Sequence, residues 1–152
     1  IHRFVEQLHA NRQKPILVTG TGFCAPLQEF MVRKLLVLGY CAIGSNSYEV
    51  YESGALNAGL VIAISKSGKT DTILKPVQDS FAQHRSIIAF VGADNSPIAR
   101  CADPAFVLLD DKMLDDRNLT ANYFYARVLI TFEYLMDLVL EKDEHPNGKE
   151  GQ

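Results

Sequence analysis

The sequence predicts an α/β domain, a doubly wound parallel sheet held between two layers of helices, and three observations predict it. Short apolar runs alternate with stretches of helical period. One run, Leu60 to Ile64, is apolar at every position, as a strand covered on both faces must be. Glycines stand where one pattern gives way to the other.

The elements follow in chain order. Ile1, Phe4, Val5 and Leu8 share a helical face and predict a short amphipathic helix. Pro15 and the run Ile16-Leu17-Val18 read as a first strand, ended by Gly20 and Gly22. Leu27, Phe30, Met31, Lys34, Leu35 and Leu38 return to a period near 3.6, giving a helix from Ala25 to Leu38 with Gly39 as its stop. A second strand is expected over Tyr40 to Ile43, a helix over Tyr48 to Leu56, and the third strand over Leu60 to Ile64. Ile73, Leu74, Val77 and Phe81 mark the next helix, followed by a strand over Ser86 to Val91, a turn near Pro97, and a strand over Ala105 to Leu109. A long helix, Leu119 to Glu141, closes the domain with Ala126, Leu129, Ile130, Phe132, Leu135, Met136 and Val139 as its apolar positions.

Strands alternating with helices at this spacing pair in parallel through right-handed crossovers. The expected product is a three-layer α/β/α sandwich with a five-stranded parallel sheet in the order 2-1-3-4-5. Ligands then bind at the carboxyl ends of strands 1 and 3, where the winding reverses. The domain is expected to span residues 1–142. Residues 143–152 are polar and carry Pro146 and Gly148, which predicts a disordered tail. The chain begins with Ile1, not Met, which leaves an amino-terminal domain upstream as an expectation.

Composition narrows the classes of function. With 152 residues, 47% hydrophobic and 22% charged, the chain suits one globular domain. Its 15 basic and 18 acidic residues give a net charge of -3 and form no basic stripe, which argues against DNA binding by bulk electrostatics. Cys24, Cys41 and Cys101 are too widely spaced for a disulfide framework or a zinc site, and read as reduced thiols of a cytoplasmic protein. The apolar stretch from Val128 to Leu140 is broken by Thr131, Glu133 and Asp137 and falls short of the roughly 20 residues a membrane span needs. No membrane role, cofactor or metal is expected; the carboxylates Asp110, Asp111, Asp115 and Asp116 have no cation-ligand spacing.

The chemistry concentrates in Ser65-Lys66-Ser67-Gly68-Lys69-Thr70, between an apolar strand and a helix. At a helix amino end, free N–H groups and a partial positive charge attract an anion. Ser65, Ser67 and Thr70 add three hydroxyls, Gly68 allows close backbone approach, and Lys66 or Lys69 supplies full charge. The same residues would serve an ordinary strand-to-helix turn, with Thr70 as N-cap and Asp71 in the first turn. A nucleotide-binding Walker A loop is disfavoured, because Ala63 stands where its upstream glycine belongs.

Ile64 to Thr70 resembles the S-x-S-G-x-T signature of sugar isomerase (SIS) domains, and Gly20-Thr21-Gly22-Phe23-Cys24 resembles their first glycine loop, G-x-G-x-S. Leu35 to Gly39 is similar to the end of the family's first helix, and Asn95 to Asp103 to the segment after its fourth strand. The resemblance covers nearly the whole chain and is strongest to the carboxyl-terminal sensor domain of RpiR-type transcription regulators. It implies a flavodoxin-like SIS fold that binds a phosphorylated sugar as effector, with DNA reached only through a separate helix-turn-helix domain. It also implies that Ser65, Lys66, Ser67, Gly68 and Thr70 surround the phosphate and that Gly20, Thr21, Gly22 and Cys24 lie beside the sugar. Cys24 replaces the family's serine and is a weaker donor, which passes that contact to Thr21 or to a backbone amide.

The alternative is a sugar-phosphate aldose-ketose isomerase, which needs a general base. The family's isomerases carry a His-containing element after the second strand, whereas residues 45–54 contain no His. Glu49, Glu52 and Glu133 are the remaining candidates, and a solvated surface is the simpler reading of each. His84, at a helix end, reads as a favourable terminal charge. A sensor with no catalytic residue is therefore favoured. The aromatic residues Tyr123, Phe124, Phe132 and Tyr134 of the last helix predict a homodimer or higher homo-oligomer.

Overall fold

The structure, a computed structural model, describes residues 1–44, 57–109, 112, 114, 115 and 117–146. The helix expected over Tyr48 to Leu56, with Glu49 and Glu52, and residues 147–152 of the expected tail lie outside the described residues.

Strands β1 (Ile16–Thr19), β2 (Ala42–Gly44), β3 (Leu60–Ser65), β4 (Ser86–Val91) and β5 (Ala105–Val107) form one sheet in the order β2-β1-β3-β4-β5. All four pairings are parallel, as expected from the alternating pattern. Every residue of β3 is buried, because β1 and β4 flank it and helices cover both faces. On one face Ile16, Val18, Ile62, Ile64 and Phe90 pack against helices α1 (His2–Ala10), α2 (Ala25–Val37) and α5 (Phe124–Glu144). On the other Leu17, Val61, Ala63 and Val91 pack against α3 (Asp71–Ala82) and α4 (Pro97–Cys101). The three-layer sandwich is thus the observed architecture.

Local chemistry explains the ends of the elements. Gly39 terminates α2 with φ +89°, and the Tyr40 N–H then closes on the Leu35 carbonyl at 2.9 Å, a Schellman-type stop. Tyr40 is consequently buried as a pivot, and β2 begins at Ala42 instead of Tyr40. The expected turn near Pro97 is a one-turn helix, α4, with proline at its first position. α5 starts at Phe124 rather than Leu119, because Asn122 Oδ1 accepts the Phe124 N–H at 2.9 Å and the Asp115 carboxylate takes the Leu119 and Thr120 N–H groups, each at 3.0 Å. It runs on to Glu144, beyond the expected Glu141 and into the segment expected to be disordered. There Arg12 pairs with Asp143 at 2.9 Å.

Two expectations for buried faces change. Phe30 is partly exposed, its ring edge against Phe132, while Gln28 takes the inward position. In α5, Phe124 and Phe132 are fully buried whereas Ile130 and Tyr134 point outward, as does Tyr123 just before the helix, so the four aromatic residues do not share one face.

Candidate functional site

The chain leaves β1 toward α2 on one side of the sheet and leaves β3 toward α3 on the other, which opens a crevice at their carboxyl ends. Two loops border it. Residues 20–24 follow β1, and residues 66–70 follow β3.

In the second loop the three hydroxyls converge. Thr70 Oγ1 lies 2.9 Å from Ser65 Oγ and 3.5 Å from Ser67 Oγ. Ser65 Oγ also accepts the Gly68 N–H at 3.0 Å, and Ser67 Oγ accepts the Lys69 N–H at 3.3 Å. Thr70 occupies the N-cap position of α3, yet its side chain makes no capping bond. Its hydroxyl is turned into the loop, where plain capping would have used it on the helix. Gly68 has φ +70°, and a Cβ there would collide with the Ser96 side chain. The Ile98 N–H holds the Gly68 carbonyl at 3.0 Å, so α4 braces the turn from behind.

The first loop is arranged differently from what the resemblance implied. Gly20 is buried, its N–H donated to Gln28 Oε1 at 2.9 Å. Gly22 sits exposed at the tip with φ +57°, and Thr21 is exposed with its Oγ1 3.5 Å from Thr72 Oγ1. Cys24 is only 6% exposed, with the Lys66 backbone N–H beside its sulfur, so it joins the two loops from within. Burial pushes the thiol up to about 11, against a smaller opposing pull from Lys66. Cys24 is therefore expected to resist iodoacetamide at pH 8 while exposed Cys41 reacts, as peptide mapping would read. Alkylation of Cys24 at the rate of Cys41 would contradict this placement.

Lys66 does not lie along the hydroxyl cluster. Its Nζ donates to the Asp115 carbonyl at 3.1 Å and to Asn118 Oδ1 at 3.4 Å, in the segment between β5 and α5. A cleft of about 440 Å³ lies between the first loop and α3, lined among the described residues by Leu17, Thr19, Thr21, Asp71, Thr72, Lys75 and Pro76. The sequence reading missed Thr72 and Lys75 as candidates. The signal was the spacing of Lys75, three positions after Thr72 and four after Asp71 in the first turns of α3, which puts it on a helix face with each. Pro76 has no N–H to give the Thr72 carbonyl, which leaves that oxygen short of its helical donor at the cleft edge.

Other candidates lie elsewhere. Glu133 pairs with Lys34 at 3.2 Å on the surface between α2 and α5. His84 follows the end of α3 with φ +57°, at the exit the helix needs. Asp115 caps the loop before α5, and its hydrogen bonds from Thr120 and Leu119 hold its carboxyl below the ordinary range. Among the described residues no group of His, Cys, Asp and Glu is placed to hold a metal, and no helix is long and apolar enough to cross a membrane.

An α/β domain with an anion-suited turn at its switch point defines the class. The particular fold is that of the sugar isomerase domain, as comparison with solved structures establishes. The Vibrio vulnificus NanR protein, solved in complex with ManNAc-6P, superposes with a TM-score of 0.76 at 20% identity, covering 93% of this chain and 53% of that one. This chain thus spans about half the length of NanR. The sugar isomerase domain of an RpiR transcription factor from Sphaerobacter thermophilus gives 0.63 at 17% identity, over 93% of this chain and 83% of that one. Phosphoheptose isomerase GmhA from Neisseria gonorrhoeae gives 0.71 at 15% identity, over 92% and 82%. No protein-family model and no curated protein matches the sequence.

Proposed function

We propose that this domain binds a phosphorylated sugar, with the phosphate in the Ser65–Thr70 loop and the sugar in the cleft beside Thr21 and Thr72, and that it serves as the effector-sensing domain of a cytoplasmic transcription regulator. The observation that carries the reading is the Thr70 hydroxyl, turned away from its own helix end to meet Ser65 and Ser67. Three hydroxyls at the start of a twelve-residue helix suit a phosphate of about -1.5 to -2 charge. Gly20, Gly22, Gly68 and Cys24 shape and join the loops, and Lys66 adds charge beside them. The likeness of fold to NanR and to an RpiR factor supports the regulatory role, with DNA contacted by a domain outside this chain. The outward residues Ile130 and Tyr134 of α5, with Tyr123 just before it, supply a surface for a second copy of the chain.

The isomerase reading keeps one specific support, the Asp71 carboxylate on the cleft wall. Two measurements decide. Titration with a panel of sugar phosphates is expected to raise Tm for one or a few members, by mass action. Solvent deuterium is expected to stay out of the bound sugar. Silence across the panel would refute phosphosugar binding; deuterium incorporation would replace the sensor with the isomerase.

A further inference from the structure

Gln28 stands on the inward stripe of α2, among Leu27, Met31 and Leu35, and is only 6% exposed. An amide in such a place costs free energy unless it is hydrogen-bonded, and an apolar side chain would fill the space without that cost. Its Oε1 accepts the Gly20 N–H at 2.9 Å, where the chain leaves β1. On its other side Nε2 lies so near the end of β2 that a Cβ on Gly44 would collide with it. Gly20 is itself confined, since a Cβ there would come within 2.8 Å of the Cys24 carbonyl oxygen. The Cys24 N–H in turn donates to the Thr21 carbonyl at 2.9 Å. Thr21 is thus gripped on both sides, through Gly20 by Gln28 and through its own carbonyl by Cys24. Its hydroxyl reaches out of that frame to within 3.5 Å of Thr72 Oγ1, and both threonines line the cleft beside α3.

Building on the phosphosugar reading, we propose that Gln28 is a positioning residue for the sugar: by holding Gly20 it sets the Thr21 hydroxyl against that of Thr72, as a pair that takes one hydroxyl group of the sugar. Each threonine hydroxyl can donate and accept, so the two together can serve a sugar hydroxyl in both directions. A neutral contact of this kind aids binding only when its groups are held in place beforehand, because ordering them on binding would cancel the gain. Thr72 belongs to α3, the helix that the phosphate loop leads into, so Gln28 also fixes how the sugar loop stands relative to the phosphate loop. An anion with no sugar attached occupies the Ser65–Thr70 loop and makes no use of Thr21. Gln28 therefore acts on the sugar and not on the phosphate, a division that a merely structural amide would not produce.

The experiment measures affinity for inorganic phosphate and for the tightest-binding member of the sugar-phosphate panel by calorimetry. Gln28→Met nearly keeps the shape and removes the oxygen that accepts the Gly20 N–H. It is expected to weaken sugar-phosphate binding roughly three- to tenfold, the worth of the one hydrogen bond it sets up, and to leave affinity for inorganic phosphate within about twofold. Gln28→Glu restores the oxygen and is expected to recover most of the loss. Thr21→Val is expected to weaken the sugar phosphate by a similar factor. The double variant of Gln28→Met with Thr21→Val is expected to bind no more weakly than the weaker single variant, because both changes remove the same contact. Should Gln28→Met fail to fold, Gln28→Ala, which leaves room for water at the Gly20 N–H, carries the same comparisons. A wild type that binds the sugar phosphate overturns this inference, and leaves the phosphosugar reading standing, if the Gln28 variant binds it equally well, loses inorganic phosphate by the same factor, or adds its full effect to that of Thr21→Val. A wild type that binds no panel member overturns both.

Discussion

Gly68→Ala is expected to destabilise the domain by about 2 to 5 kcal/mol. Two costs add. A non-glycine residue at φ +70° pays about 1 to 2 kcal/mol for the left-handed backbone. The new methyl also meets the Ser96 side chain, whose hydroxyl is buried with no hydrogen-bond partner among the described residues, and overpacking of this kind costs about 1 to 3 kcal/mol. For a chain of this size the sum corresponds to a fall in Tm on the order of 10 °C. Scanning calorimetry of Gly68→Ala and of the double variant with Ser96→Gly separates the two costs, because the second variant removes the collision and leaves the backbone strain. A Gly68→Ala protein that melts with the wild type would mean that the turn does not adopt this conformation.

Thr70→Val is expected to weaken phosphosugar binding by about ten- to 150-fold while changing Tm little. The substitution keeps the shape and the branched Cβ but deletes the hydroxyl around which Ser65 and Ser67 gather. A hydrogen bond to a charged group contributes about 1.5 to 3 kcal/mol, and every 1.4 kcal/mol is tenfold in affinity. Stability is largely spared because Thr70 makes no side-chain cap to α3, and Ser65 Oγ keeps the Gly68 N–H at 3.0 Å. Thr70→Ser restores the hydroxyl and is expected to recover most of the affinity. Calorimetric titration with the sugar phosphate that gives the largest Tm shift reads the result. Unimpaired binding by a folded Thr70→Val would remove the phosphate from this loop.

Much of the fold was legible because its signals are local. The wholly apolar Leu60–Ile64 run predicted a central strand, and β3 extends it by one residue, Ser65. Ser86 to Val91 is a strand with the expected bounds, and Gly39 ends α2 as its position implied. Boundaries moved where a side chain far from the periodic pattern took a backbone partner. The Asp115 and Asn122 carboxylate and amide oxygens capture the N–H groups of Leu119, Thr120 and Phe124, so the last helix starts late. Ile130 and Tyr134 fell outside the buried face because α5 meets the sheet along Phe124, Val128, Phe132, Leu135 and Val139, a stripe that alternatives of nearly equal hydropathy could equally have supplied.

The sequence by itself determined that strands and helices alternate, that the sheet is parallel, and that a hydroxyl-rich turn stands at the head of α3. These are properties of neighbouring residues and of their period along the chain. Only the tertiary structure decided what the turn's groups do. It turned the Thr70 hydroxyl inward, buried the Cys24 thiol against the Lys66 N–H, and sent the Lys66 ammonium to partners 49 and 52 positions away. The physical reason is that a hydrogen bond is specified by where donor and acceptor meet in space, and the packing of α5 and α4 around the sheet, which brings those partners together, leaves no trace in the local pattern of the loop.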